Sequence, residues 1–311
     1  MLRDILDCSQ AGGIIIALGS GKGGVGKSFL ATNIGIHIAG LSKKVILVDA
    51  DLGNANLHTY LDLPLKGLTL SDFISGKVSN LAPAAIQTGV PHLSLIPGGK
   101  APLGVANIVY KKKMALLKAI KRLSADFIIL DLGTGVSFNV LDFFLIAHHK
   151  VVIARPEPAS IENFYQFIKT ALWRRLTTLI PDLSTRKRWE ASFDQEGEWG
   201  VKRVAKIISE AGGMLNEGVR KKIEEELACF GVKLILNWTT TPDHRTLGYS
   251  IEKVCEGAMG VALQYLGYID YDLQVEESTR LRKPLLLKYP DSGVAKAIRN
   301  ITNRLLVGYE R

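Results

Sequence analysis

The chain has 311 residues, of which 47% are hydrophobic and 22% charged, and its formal charge is +9. This apolar content is enough for a sizeable core and argues against intrinsic disorder. No apolar run approaches the roughly 18 residues that cross a bilayer, the first ten residues lack a signal-peptide pattern, and the three cysteines lie far apart. We therefore expect a cytoplasmic protein, with one or two domains, no disulfide framework and no cysteine-only zinc site. The positive charge favours an anionic partner, whether nucleic acid, membrane or protein.

A glycine-rich stretch follows the first predicted strand, Ile14–Leu18. Residues 21–28 read Gly-Lys-Gly-Gly-Val-Gly-Lys-Ser, and a helix is predicted from Ser28 to Ala39, closed by Gly40 at its C-cap. A strand, a P-loop pattern and a helix in this order predict a phosphate-binding loop, because backbone N–H groups and the helix N-terminus attract phosphate oxygens. Lys27 is expected to reach the β- and γ-phosphates, and the Ser28 hydroxyl to bind Mg²⁺.

Acidic residues stand at the ends of two further predicted strands. Val45–Val48 ends in Asp49 and Asp51, and Phe127–Leu130 ends in Asp131. A hydrophobic strand that delivers one carboxylate is typical of the magnesium site beside a P-loop, which makes Asp131 a predicted metal ligand. Asp49 and Asp51 are two residues apart, and the pattern leaves open whether they serve the nucleotide or cap a following helix.

The remaining predicted elements continue the alternation of strands and helices. They are strands at Leu93–Ile96, Val151–Ala154, Val232–Leu236 and Tyr265–Ile269, a basic amphipathic helix at Lys112–Leu123, and a long helix that starts near Ser160. Short apolar strands that alternate with helices predict an α/β fold with a mostly parallel central sheet and helices on both faces. Ligands of such sheets bind beyond the carboxyl ends of the strands, where the acidic residues lie.

Residues 181–230 do not follow this alternation of strands and helices. They carry dense, nearly balanced charge and no strand signal, so we predict a helical insertion within a single domain that spans residues 1–311.

The loop also contains Lys22, a lysine that a simple phosphate cradle does not need. Residues 22–28 match the motif Lys-Gly-Gly-x-x-Lys-Ser/Thr, and here the chain resembles the deviant-Walker ATPases of the MinD/ParA group. The resemblance implies that Lys22 crosses a dimer interface and touches the phosphates bound by the other subunit. Without the resemblance, Lys22 reads as a solvated lysine on a loop.

Four further segments resemble the FlhG-like branch of this group. They are Asp49–Leu57, Leu95–Gly99, Asp131–Gly135 and Pro156–Ile161. In addition, Asn237 matches the asparagine that reads the adenine in the family. Together the matches cover roughly residues 12–175 and 231–306.

The resemblance assigns roles to individual residues. It implies that Asp51 orients the attacking water and that Asp49 supports the Mg²⁺ shell, so Lys22, Lys27 and Asp51 are the predicted catalytic residues. The predicted metal ligands are Ser28, Asp49 and Asp131. The predicted ATP-binding residues are Gly21, Lys22, Gly23, Gly24, Val25, Gly26, Lys27, Ser28, Phe29 and Asn237.

The resemblance implies an ATP- and Mg²⁺-dependent homodimer that acts through a protein partner as a spatial regulator of a polar structure, a flagellum or a chromosome. Such a protein is cytoplasmic and is recruited to a cell pole or to the inner membrane surface. The amphipathic segment Ser292–Leu306 matches the last core helix of the family, so we expect core packing, with membrane contact as the alternative. We also expect Met1–Gln10 to lack the activating segment of FlhG.

Three alternatives remain. A DNA-partition ATPase would use the eight Lys and Arg between Arg280 and Arg311, where only two acids lie. An iron–sulfur carrier of the Mrp type would need paired cysteines, and a metabolic ligase on the same fold would lack the extra lysine.

Overall fold

A central eight-stranded sheet organises the structure, a computed structural model that describes residues 2–6, 12–99, 108–194 and 215–309. In the described residues the strand order is β3-β4-β2-β5-β1-β6-β7-β8, and every pairing is parallel except that of β3 with β4. The strands are β1 Ile14–Ser20, β2 Val45–Ala50, β3 Ile86–Gln87, β4 Leu93–Ile96, β5 Phe127–Thr134, β6 His149–Ala154, β7 Gly231–Thr239 and β8 Ala262–Asp270. The predicted fold class is confirmed.

Helices cover both faces of the sheet. The helices are α1 Leu2–Leu6, α2 Lys27–Gly40, α3 Leu57–Tyr60, α4 Leu70–Ser75, α5 Tyr110–Lys121, α6 Phe138–Leu145, α7 Pro158–Thr177, α8 Leu183–Asp194, α9 Glu217–Cys229, α10 Pro242–Val254, α11 Leu273–Arg280, α12 Leu285–Lys288 and α13 Gly293–Leu306. One hydrophobic core contains the buried side chains of α5, α6 and α7, and a second contains those of α2 and α13. The central strands are therefore buried on both faces, which explains their continuous apolar sequences.

The register of the sheet sets the position of the acidic residues. Strands β2 and β5 pair in parallel, with Asp49 opposite Asp131 and Val45 opposite Phe127. The two carboxylates therefore leave the sheet side by side at its carboxyl edge, next to the end of β1.

Two local predictions need correction. Gly40 is the last residue of α2, not its C-cap, and the left-handed residue of the reversal is Ser42, with φ 61°. The N–H groups of Leu41 and Ser42 bond to carbonyls of the last helical turn, so the turn closes without glycine. Strand β3 was not predicted, because two residues give no periodic signal.

The described parts of residues 181–230 are α8, α9 and the segments beside them, while residues 195–214 lie outside the described residues. The apolar face of α13 is buried, with Val294, Ile298, Ile301 and Leu305 in the core, as expected for a core helix. In the described part of the chain, no helix combines the length and apolar character needed to cross a membrane.

Candidate functional site

The loop between β1 and α2 is shaped by glycines in the left-handed region. Gly24 has φ 73°, and Gly26, the residue before α2, has φ 96°. A β-carbon at Gly26 would also clash with the side-chain amide of Asn237, so both backbone and space require glycine there. No side chain caps α2, which leaves the N–H groups of its first turn available to an anionic ligand.

Lys27 is buried at the base of this loop. Its Nζ donates to the Ser20 Oγ over 3.1 Å, and that hydroxyl donates to the Lys22 carbonyl over 2.8 Å. Burial lowers the pKa of Lys27, while the charges of Asp131 and Asp51 act to raise it. The lysine is thus held between the loop and the carboxylates of the neighbouring strands.

Two buried carboxylates carry oxygens without a hydrogen-bond partner. Neither carboxylate oxygen of Asp131 makes a hydrogen bond of ordinary geometry to a described residue, and Asp49 Oδ1 also lacks one. Burial raises the pKa of Asp131 to about 6, against the opposing effects of the adjacent Ser28 hydroxyl and of Lys27. Burial, with the nearby Asp131, raises the pKa of Asp49 well above its usual value.

Unpartnered carboxylate oxygens beside a serine hydroxyl are the donors that Mg²⁺ prefers. Ser28, Asp49 and Asp131 therefore fit the predicted metal site. A cation there would favour the ionised form of both aspartates, whose pKa values burial raises.

Asp51 is half-buried beside the carboxyl end of β5. Its Oδ1 accepts the Asn54 N–H over 3.0 Å, and a β-carbon at Gly133 would lie 3.4 Å from that oxygen. Asp49 Oδ2 accepts the N–H of Leu57, the first residue of α3, over 2.9 Å. Neither acid is an N-cap, because the N-cap of α3 is Asn56 and the Asn54 N–H that Asp51 binds belongs to a turn. Asp131 helps to raise the pKa of Asp49, and Asp51 helps to raise that of Asp131.

Lys22 lies at the open side of the loop, where its side chain is 43% exposed. Its Nζ is 3.6 Å from the Glu157 Oε2, and the Glu157 Oε1 is 2.9 Å from an Arg155 guanidinium nitrogen. Arg155 in turn stacks over the Trp238 ring at 3.9 Å. Sequence reasoning missed this chain of contacts, although Glu157 lies in a segment that it had matched to the family.

Asn237 joins the end of β7 to the phosphate loop. Its Nδ2 donates to the Val25 carbonyl over 2.8 Å, and its Oδ1 accepts the Trp238 N–H over 3.0 Å. The buried amide therefore fixes the loop, and its role toward adenine stays a prediction. The side chain of Phe29, another predicted ATP-binding residue, is buried in the core, and its role toward ATP stays a prediction.

The chain is similar to known ATP-binding proteins over most of its length. A family model described as AAA domain matches residues 13–178, which is 166 of the 311 residues. The chain is 27% identical over 293 residues to an uncharacterized ATP-binding protein of Methanocaldococcus jannaschii, covering 94% of this chain and 88% of that protein. It is 23% identical over 294 residues to the antiactivator FleN of Pseudomonas aeruginosa, covering 94% of this chain and 85% of FleN.

Among solved structures, MinD of Pyrococcus horikoshii, complexed with Mg-ADP, has a TM-score of 0.62 at 21% identity, over 96% of this chain and 98% of that chain. This likeness establishes the fold.

The phosphate loop, the buried acids and the sheet define a P-loop ATPase. Its nucleotide is ATP, and its metal is Mg²⁺. More particularly, the chain belongs to the AAA domain family and is a deviant-Walker ATPase of the MinD/ParA type, as its Lys-Gly-Gly loop predicted.

Proposed function

We propose that this chain is an ATP-controlled dimerisation switch of the MinD/FlhG/ParA type, which regulates the position or number of a cellular structure through a protein partner. The observation that carries the proposal is the position of Lys22. Its side chain is 43% exposed, and its Nζ lies 3.6 Å from the half-buried Glu157. A lysine that served only its own subunit's phosphates would be expected at the base, where Lys27 already lies.

The other residues supply the chemistry of slow hydrolysis. The N–H groups of the loop and of α2 hold the phosphates, and Lys27 compensates their charge. Mg²⁺ held by Ser28, Asp49 and Asp131 would offset negative charge at the β- and γ-phosphates. Asp51 accepts a hydrogen bond from the attacking water and orients it, and Lys22 exchanges Glu157 for the phosphates of the partner subunit.

The test uses a variant that binds ATP without hydrolysing it. Asp51→Ala should cut hydrolysis by ~10²–10⁴ while ATP binding persists, because it removes a water-positioning group and no phosphate contact. With ATP and Mg²⁺ the variant should form a dimer of twice the 34.0 kDa chain mass, measured by light scattering behind a sizing column.

Adding Lys22→Ala should return this dimer to monomer while ATP still binds, because the buried phosphate charge then lacks its cation. Lys43→Ala, at a lysine just beyond α2, is the matched control and should leave the dimer intact. A double variant with Lys22→Ala that stays dimeric would refute the interfacial role.

A second candidate function, non-specific DNA binding, is supported by the turn after α11. Arg280, Arg282 and Lys283 are exposed there within four residues. Salt-dependent retention on DNA that is lost in a triple alanine variant would favour the partition role.

A further inference from the structure

One long segment of the chain contains no acidic residue. Residues 73–125 hold eight Lys or Arg and no Asp or Glu, although the chain's 30 acids in 311 residues would place about five there. The segment runs from α4 through β4 and α5 to the start of β5. Its cations therefore have no acidic partner within the segment, which predicts a strongly positive surface.

Helix α5 concentrates this charge on one side. Its buried cations are already used, because Lys113 pairs with Asp142 and Lys121 donates to the Ile5 carbonyl over 3.0 Å. The exposed cations are Lys111, Lys112, Lys118 and Arg122, and none of these four forms an ion pair with a described residue. Lys111, Lys118 and Arg122 are spaced by seven and four residues, which places them along one side of the helix over about 16 Å.

Exposed apolar side chains lie at the N-terminal ends of α5 and α6. Val109 and Tyr110 are 66% and 49% exposed, and Phe138, the first residue of α6, is 51% exposed. Lys113 connects the two helices, because its Nζ reaches both Asp142 and the Phe138 carbonyl.

Phe138 is also held in place. The Arg174 guanidinium lies 4.4 Å from the centre of its ring, and the Trp173 ring stacks at 6.3 Å. An exposed aromatic ring that is ordered before binding loses little entropy on contact, and Phe, Tyr, Trp and Arg are the residues that anchor protein interfaces.

We propose that the α5 surface, defined as Val109, Tyr110, Lys111, Lys112, Lys118, Arg122 and Phe138, binds an acidic segment of a regulatory protein. The segment's carboxylates lie along the α5 cations, and one of its apolar side chains packs on Phe138 and Val109. A phosphate backbone offers no group for Val109.

The surface is linked to the nucleotide site by α6, and this link rests on the proposed switch. Phe138 lies seven residues after Asp131, and the Ser137 Oγ caps α6 by accepting the Val140 N–H. A rearrangement of the β5–α6 loop on ATP hydrolysis would therefore move Phe138 relative to the α5 cations.

The experiment starts from a random peptide library displayed on phage and selected against the full-length chain with ATP and Mg²⁺. We expect the enriched peptides to share acidic residues and one large apolar residue. A synthetic peptide of the enriched sequence should then bind the chain, and Lys111→Glu/Lys118→Glu should weaken that binding by tenfold or more.

Lys221→Glu/Lys222→Glu is the matched control, since it reverses the same charge on the exposed side of α9 and should leave peptide affinity unchanged. Phe138→Ala should weaken binding separately, and retained ATP binding shows that each variant is folded.

Enriched peptides without acids, or equal loss in the control variant, would overturn the proposal. The proposal would also be overturned if Lys111→Glu/Lys118→Glu abolished binding to a DNA duplex or to phosphatidylglycerol vesicles while peptide binding stayed unchanged. Because peptide affinity is measured independently of dimer mass, failure here is distinguishable from failure of the proposed switch.

Discussion

At the scale of single residues, experiments can distinguish two roles for Asn237, one predicted and one observed. The sequence resemblance assigns it to adenine, whereas the structure shows its amide bonded to the loop at Val25 and to its neighbour Trp238. An amide that only read the base would affect nucleotide affinity alone. An amide that fixes the loop also contributes to the stability of the protein without nucleotide.

Asn237→Ala should therefore destabilise the nucleotide-free chain by about 1–3 kcal/mol, because the buried Val25 carbonyl loses its donor. Urea unfolding, followed by circular dichroism, measures this change. Asn303→Ala, at an exposed asparagine of α13, is the control. Unaltered stability together with weakened ATP binding would instead assign Asn237 to the base alone.

At the scale of elements, a buried ionic cluster joins three helices. Asp142 of α6 accepts two hydrogen bonds from Arg174 of α7, over 2.9 and 3.1 Å, and pairs with Lys113 of α5. All three side chains are at least four-fifths buried. The cluster fixes α6, the helix that follows β5, against α5 and α7.

Asp142→Asn should cost about 3–5 kcal/mol in the free energy of unfolding, because it leaves two buried cations without a countercharge. The exposed pair of Arg220 and Glu224 on α9 provides the comparison, and Arg220→Ala should cost less than about 1 kcal/mol. Denaturant titrations of both variants measure the difference. Similar small losses would show that the buried cluster is unimportant for stability.

A second prediction at this scale concerns His149, the first residue of β6. Burial, and secondarily the neighbouring Lys233, lowers its pKa from 6.5 to about 4. The folded protein therefore holds the ring neutral while the unfolded chain protonates it. The free energy of unfolding therefore has its full value above about pH 6.5 with respect to this group. It falls by up to roughly 3 kcal/mol as the pH is lowered to about 4.

In the wild type, the His149 and Tyr309 rings pack edge to face with their centres 5.3 Å apart. His149→Phe keeps an aromatic ring at this contact. This variant should lose less stability than the wild type between about pH 7 and pH 4. Urea midpoints at both pH values measure the effect. Parallel losses in the two proteins would mean that other groups dominate acid unfolding.

The sequence predicted those elements whose signal is local. The apolar runs before Asp49 and Asp131 identified buried strands, and the loop at residues 21–28 identified the phosphate site. Contacts between distant residues gave no such signal. The pairs Lys22–Glu157 and Asn237–Val25 and the cluster around Asp142 depend on helix packing and sheet order, which one sequence does not encode as a periodic pattern.

At the scale of the whole molecule, the nucleotide site lies in the centre of the sheet. Its loop follows β1, whose neighbours β5 and β6 connect it to both halves of the structure. Ligand binding at this position is therefore expected to stabilise the complete fold.

ATP with Mg²⁺ at about one hundred times its Kd should raise the free energy of unfolding by about 2.7 kcal/mol, because only the folded chain binds it. Urea titrations with and without nucleotide measure the gain. Lys27→Ala should abolish it, whereas Lys43→Ala should not. A gain that persists in Lys27→Ala would place the bound nucleotide elsewhere.

The bond between Asn237 and Val25 also has a consequence for synthesis of the chain. The two residues are 212 positions apart, so the loop is translated long before its clamp. At ~5–20 residues per second, the ribosome needs roughly 10–40 s to cover that interval. During this time the nascent chain carries a complete phosphate motif without the strand that fixes it. We therefore expect tight ATP binding to begin only after β7 has emerged and folded.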